Sequence, residues 1–326
     1  MTSLELTPEY FNILETLQPL SFTTAAIIFI LCVLYLIFYN QLFTVSKLNH
    51  KPKTITLMIL CCLIFYRSLV EFLAYDKYFP MDCELYEYNC DYCKFTQPVI
   101  PTVIFLIYFF ISIFFNQILF TSLTILETFF NFNINIFFKI LLFMTSIPML
   151  VFSILITIKG REVEWNSIVV PFGDIKICLY NPDLFDTYFD YVKYQNPYLF
   201  TLIGFLLIIH CLIFSYIYKT RTNNMEYVII LKIYFKNISI SLLYIICNFG
   251  FVMLPQYILN TYPFTPLEYT FTLLILLLYH PLGNNLYNLI FKRVLSGISK
   301  KNEEEKDEDE DEISIETGIQ SISITT

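Results

Sequence analysis

Polar positions are sparse along this chain, and the gaps between them set its architecture. Uncharged runs of 31, 32 and 19 residues separate Glu15 from Lys47, Lys94 from Glu127 and Lys139 from Lys159. Three more, of 25, 31 and 23 residues, lie between Lys193 and Lys219, Lys236 and Glu268, and Glu268 and Lys292. Another apolar stretch runs from Lys53 to about Tyr75 and is interrupted only by Arg67 and Glu71. A helix crosses the hydrocarbon core of a bilayer in roughly 20 residues, so these stretches predict seven spans. The run after Lys236 ends in Asn260-Thr-Tyr-Pro-Phe-Thr-Pro266, which is turn chemistry. That span therefore closes near Tyr257 and opens near Val228, with Lys232 and Lys236 snorkelling from its first turns.

Composition changes this picture only by excluding rivals. Hydrophobic residues make up 56% of the chain and charged residues 15%, where soluble domains average about 25% charged. The net charge of −8 is concentrated at one end. From Ser299 to Thr326 there are three Lys and ten acids, and the rest of the chain is nearly neutral. A neutral, aromatic-rich body with an acidic tail excludes soluble enzymes, secreted disulfide scaffolds and basic nucleic-acid binders. The expected fold class is all-α: a seven-transmembrane helix bundle over 22–298, preceded by an extracellular segment at 1–21. The acidic tail at 299–326 reads as disordered, because nine acids between Glu303 and Glu312 leave nothing apolar to bury.

Basic residues in the short loops orient the bundle. With the amino terminus outside, the inner segments hold Lys47, Lys51, Lys53, Lys139, Lys219, Arg221 and five basic residues after the last span. The outer segments hold six, namely Lys77, Lys94, Lys159, Arg161, Lys176 and Lys193. This places the amino terminus outside and the tail inside. No basic segment precedes the first apolar run, so that run is expected to be an anchor and not a cleaved signal. Cys32, Cys61, Cys62, Cys211 and Cys247 fall within spans, whereas Cys83, Cys90, Cys93 and Cys178 fall in the two long outer loops. The outer face is the oxidising one for a plasma-membrane protein, so at least one disulfide is expected there. Four cysteines allow three pairings.

With seven spans and an external amino terminus, the chain resembles rhodopsin-like G-protein-coupled receptors. His280-Pro281-Leu282-Gly283-Asn284, followed by Phe291-Lys292-Arg293, is similar to that family's Asn-Pro-x-x-Tyr…Phe-Arg segment at the end of span seven. His280 stands for Asn and Asn284 for Tyr. Gln117 to Thr128 resembles the inner end of helix three in nematode serpentine chemoreceptors of the gamma-like and V-like groups, with Thr128 after Glu127 where that family carries Arg. A Cys93–Cys178 bridge, joining the start of span three to the loop between spans four and five, is a further feature of the resemblance, and Cys83 and Cys90 would be the second pair. The resemblance also implies switch roles for Glu127, Thr128, His280, Pro281, Asn284 and Phe291. A small-molecule ligand, a heterotrimeric G protein and a desensitising partner at the tail are the partners it suggests.

The residues carry readings of their own. Pro281 removes a backbone donor from span seven, so it either bends a helix whose freed carbonyls Asn284, Asn285 and Asn288 satisfy, or ends that helix. Arg67 and Glu71 are four apart on one helix face in the outer half of span two. They neutralise each other or anchor a polar ligand, and the self-neutralising pair is favoured. With Tyr108, Tyr244, Asn248 and Tyr269 they make up the expected ligand pocket. Asn116, Gln117 and His210 are expected in interhelical hydrogen bonds.

No phosphate-binding glycine loop, nucleophile elbow or paired metal motif occurs, so neither catalysis nor a cofactor or metal is expected. Ser314, Thr317, Ser321, Ser323, Thr325 and Thr326 flank the tail acids as candidate phosphorylation sites. The expected function is a plasma-membrane chemoreceptor. A ligand-gated channel subunit, a multi-pass transporter and a lipid-handling enzyme are the alternatives.

Overall fold

The computed structural model describes residues 8–42, 51–73, 84–85, 90, 100–130, 140, 144–162, 167–172, 175–180, 182–219, 225–258, 265–280 and 282–283. These hold seven α-helices: α1 (Pro8–Leu42), α2 (Lys51–Leu73), α3 (Ile100–Phe130), α4 (Ile147–Glu162), α5 (Pro182–Lys219), α6 (Met225–Asn248) and α7 (Thr265–Tyr279). Each overlaps one of the seven apolar stretches of the sequence. α6 runs on into a π-helical segment, Phe249–Ile258. Pro255 lies inside that segment; it cannot donate to the backbone ladder, and the wider turns give its ring room.

Five helices, α1, α2, α3, α5 and α6, contain spans long and apolar enough to cross a membrane. α7 is a shorter apolar helix. The chain is therefore a multi-pass helical membrane protein. Its outward surfaces agree: Ile27, Ile30 and Ile37 of α1, Ile154 and Ile158 of α4, and Ile208 and Leu212 of α5 are all exposed. Polar residues take the interior instead. Along α1 the buried stripe is Gln18, Ser21, Ala25, Ile28, Cys32 and Tyr35, spaced alternately by three and four.

Consecutive helices neighbour one another, and α7 closes the ring against α1 and α2. α3 is the hub, in contact with α2, α4, α5 and α6. Its residues Phe105, Ile107, Ile111, Phe114, Phe115 and Leu119 are all at most 1% exposed. Two compact units divide the chain, Met1–His280 and Pro281–Thr326. The helix ring lies wholly in the first.

Sequence patterning does not anticipate the antiparallel hairpin of β1 (Ser167–Phe172) and β2 (Ile175–Tyr180). Phe172 pairs with Ile175 at the closed end of the ladder. Val169 faces Cys178 in the register and is fully buried. Among the described residues these two strands are an addition to an otherwise α-helical architecture. α5 also begins at Pro182, well before the charge gap that predicts its span.

Cys90 is buried and disulfide-bonded, while Cys32, Cys61, Cys62, Cys211 and Cys247 carry free thiols. Cys83 and Cys93 lie outside the described residues, as does the side chain of Cys178. The proposed pairs are therefore not distinguished. Pro281, Asn284, Phe291 and the acidic tail also lie outside the described residues.

Candidate functional site

The pocket residues picked from the sequence gather around one that was not picked. Thr265-Pro266 opens α7, where a proline fits the first helical turn, and Glu268 follows within that turn. A carboxylate is favoured there by the helix dipole. Glu268 is 1% exposed, and it points among α3, α6 and α2. Its Oε2 accepts a hydrogen bond from the Tyr108 hydroxyl at 3.0 Å, and its Oε1 accepts one from the Asn248 amide at 3.2 Å. The Arg67 guanidinium is close enough to act electrostatically on it.

Arg67 joins this group to the amino-terminal part of α1 and the last turns of α2. It pairs with Glu71 through two contacts, one of them an Nη1–Oε2 hydrogen bond of 2.8 Å. Gln18 of α1 donates to the same Glu71 oxygen. The guanidinium also lies 5.1 Å from the centroid of the Tyr269 ring, a cation–π contact. Arg67 is 5% exposed, so its charge is met inside the protein by the two carboxylates and the ring.

Tyr244 completes the group. It is 2% exposed, lies within electrostatic reach of Glu268 and Tyr269, and its hydroxyl has no hydrogen-bond partner among the described residues. On α5, Gln195 shares a face with Leu199, Leu202, Leu206 and His210, all buried. It lies about 22 Å along the helix from His210. Tyr108 lies about 21 Å from Ser122, to which His210 is bonded, so Gln195 sits at the depth of Tyr108. Both Gln195 amide atoms are buried with no partner among the described residues.

A second polar layer occupies the opposite end. Ser122 of α3 is its centre. His210 Nε2 is 3.2 Å from the Ser122 hydroxyl, Asn237 donates to it at 2.9 Å, and the Tyr234 hydroxyl donates to the Ser122 carbonyl at 2.6 Å. Tyr279 extends the layer to α7, donating to the Asn237 carbonyl at 2.8 Å and meeting Ser241 at 2.9 Å. His280 then links α7 to α2 and α1. Its Nε2 is 2.8 Å from the Thr54 hydroxyl, and its ring sits edge-on to Tyr35 at 4.7 Å between centroids.

One aromatic side chain spans the two layers. The Phe115 ring is 5.1 Å from Tyr244, beside the Glu268 group, and 6.0 Å from Tyr279 in the Ser122 layer. Phe114 also packs on Tyr279.

Of the expected switch residues, His280 is fully buried and bonded, and Glu127 is half-buried in the last turns of α3. Thr128 follows Glu127 in α3, with its side chain outside the description. α7 stops at Tyr279 and His280 bends, its amide bonding the Leu277 carbonyl at 3.0 Å. That is the behaviour of a residue preceding proline. Asn116 bonds Ser146 of the segment leading into α4, and Gln117 bonds Thr56 of α2. Among the described residues no three His, Cys, Asp or Glu side chains gather as a metal site would need.

No protein-family model matches this chain, and no curated protein matches it in sequence.

Proposed function

We propose that this protein is a seven-span plasma-membrane receptor for a small polar molecule, with its amino terminus outside and its acidic tail inside. The observation that carries the reading is the buried carboxylate of Glu268, held by donors from α3 and α6 beside the Arg67–Glu71 pair of α2. Four helices meet at that one group, so a ligand that takes over one of its hydrogen bonds changes how those helices pack. Differential affinity for two packings is all that a ligand needs to shift a conformational balance.

The Tyr244 hydroxyl and the Gln195 amide offer further polar contacts at the same depth. Phe115, between Tyr244 and Tyr279, is the contact through which a rearrangement there reaches the Ser122 layer. The resemblance to rhodopsin-like receptors, and to nematode serpentine chemoreceptors in particular, points the same way. In this reading a Cys93–Cys178 bridge with a Cys83–Cys90 pair braces the outer loops. A heterotrimeric G protein reads the inner face, and a desensitising partner reads the phosphorylated tail.

The test is a ligand panel applied to cells expressing the intact chain, with calcium and cyclic-nucleotide readouts. A receptor gives a response that needs a G protein and disappears in Glu268→Gln at unchanged surface expression. Current in cells lacking G-protein signalling would instead make it a channel subunit. Substrate movement or modification in protein-containing liposomes would make it a transporter or a lipid-handling enzyme.

A further inference from the structure

We infer that the ligand of the Glu268 site is a small organic amine, whose ammonium group pairs with the Glu268 carboxylate beside the Tyr244 hydroxyl. This deepens the receptor reading, on which it rests for the presence of a ligand at that site. The first support is charge. The group holds two carboxylates, Glu71 and Glu268, and one guanidinium, Arg67. Arg67 meets Glu71 through both of its terminal nitrogens. Glu268 makes no ion pair with any described residue, and its two direct partners, Tyr108 and Asn248, are neutral donors. One negative charge is therefore left over, on a carboxylate that is fully enclosed. Burying such a charge is costly unless it is paired, and a cationic ligand supplies the pair.

The second support is the set of acceptors. An ionised carboxylate offers about four lone-pair positions. Tyr108 occupies one on Oε2 and Asn248 one on Oε1, which leaves one on each oxygen. The phenolic oxygen of Tyr244 is a further acceptor, buried and with no hydrogen-bond partner among the described residues. Tyr244 lies one turn from Asn248 on the same face of α6, about 6 Å along the axis. Asn248 in turn lies 3.2 Å from the carboxylate. A primary ammonium carries three donors and no acceptor, which matches these three positions. A carboxylate or phosphate ligand would meet Glu268 as a like charge, and a neutral alcohol would leave its charge unpaired. A metal ion finds no third His, Cys, Asp or Glu among the described residues. Aromatic rings complete the fit for a cation. Tyr244 packs against Phe115, and the Tyr269 ring already holds one cation, Arg67.

The test measures binding apart from signalling, on the purified full chain in phosphatidylcholine nanodiscs, by equilibrium dialysis and thermal unfolding. The probes are two matched sets: phenethylamine, phenethyl alcohol and hydrocinnamate, and the slimmer butylamine, butanol and butyrate. The wild type is expected to bind an amine about tenfold or more tightly than the alcohol or acid of its set. Glu268→Gln is expected to erase that preference. Glu71→Leu keeps the Glu268 carboxylate but leaves the group neutral overall, so it should weaken the amine several-fold and the alcohol little. Failure of both amines to bind overturns the inference, as does an alcohol or acid that binds as tightly as its amine. An amine preference that survives Glu268→Gln also overturns it. Should Glu268→Gln fail to fold, Glu71→Leu carries the comparison, and unchanged amine affinity there is the overturning result. An amine that binds through Glu268 but evokes no G-protein-dependent response leaves the inference standing and removes the receptor reading. A G-protein-dependent response to an alcohol or acid, with no amine bound, does the reverse.

Discussion

The Tyr108 hydroxyl donates to Glu268 Oε2 at 3.0 Å, tying α3 to the first turn of α7 across 160 positions of sequence. The other oxygen of the same carboxylate takes the Asn248 amide. Tyr108→Phe and Asn248→Leu should each destabilise the protein by about 1 kcal/mol, the scale of interhelical hydrogen bonds in membranes. Together they should cost more than the sum, because the double variant leaves a buried carboxylate with neither donor. Denaturant unfolding in detergent checks this, and strictly additive losses would show that the two bonds are not shared through Glu268.

Arg67 sits between Glu71, the Tyr269 ring and the Glu268 carboxylate, so removing it strips a counter-charge from two acids at once. Arg67→Met should cost on the order of 3 kcal/mol, the range for breaking a buried pair from one side. Glu71→Leu should cost less, since the guanidinium keeps Glu268 and Tyr269, and Glu71 is 24% exposed. A variant with all three charged residues neutralised, Arg67→Met/Glu71→Leu/Glu268→Gln, should recover much of the Arg67→Met loss. Equilibrium unfolding of the series provides the ranking; an Arg67→Met protein as stable as wild type would remove the electrostatic role.

Charge gaps place the helices well because a bilayer tolerates few charges, and the run lengths then mirror its thickness. They fail at Glu268 for the same reason. A lone acid between two long uncharged runs reads as a loop residue separating spans, and here it is the most enclosed carboxylate described. The available signal was Thr265-Pro266 three residues earlier, which starts a helix and puts Glu268 inside it. Helix rotation was not legible either. Both faces of α1 are apolar, since lipid is as good a neighbour as the core, so only Gln18 and Ser21 mark its inner side. The four-residue spacing of Arg67 and Glu71 did bring them together, as local geometry requires. The partners of Ser122 were hidden because its contacts with His210, Tyr234 and Asn237 depend on how α5 and α6 turn toward α3.

His280 stands where α7 stops, with Thr54 2.8 Å from its ring and Tyr35 against its edge. It fastens the end of α7 to α2 and α1. Thr54→Val and His280→Phe should therefore show a coupling of roughly 1 kcal/mol in a double-mutant cycle. His280→Phe should keep the packing against Tyr35 while losing the polar contact. In the receptor reading it should also raise basal signalling, because one tie holding α7 is gone. Zero coupling in the cycle, with basal signalling unchanged, would leave His280 as filler.

Phe115 touches Tyr244 on one side and Tyr279 on the other, so in the receptor reading its ring is the link between the Glu268 group and the Ser122 layer. Truncation to Ala should cost about 3–5 kcal/mol through the cavity it leaves. Phe115→Leu retains bulk and should cost much less, so it is the variant that separates coupling from folding. Its expected signature is a ligand that still binds with near-wild-type affinity but evokes a smaller response. Tyr244→Phe should do the reverse, weakening binding by removing a hydroxyl that has no internal partner among the described residues, while leaving the maximal response intact. Ligand binding measured beside signalling amplitude decides between them. If Phe115→Leu lowers affinity and leaves amplitude alone, the ring belongs to the pocket and the layers communicate by another route.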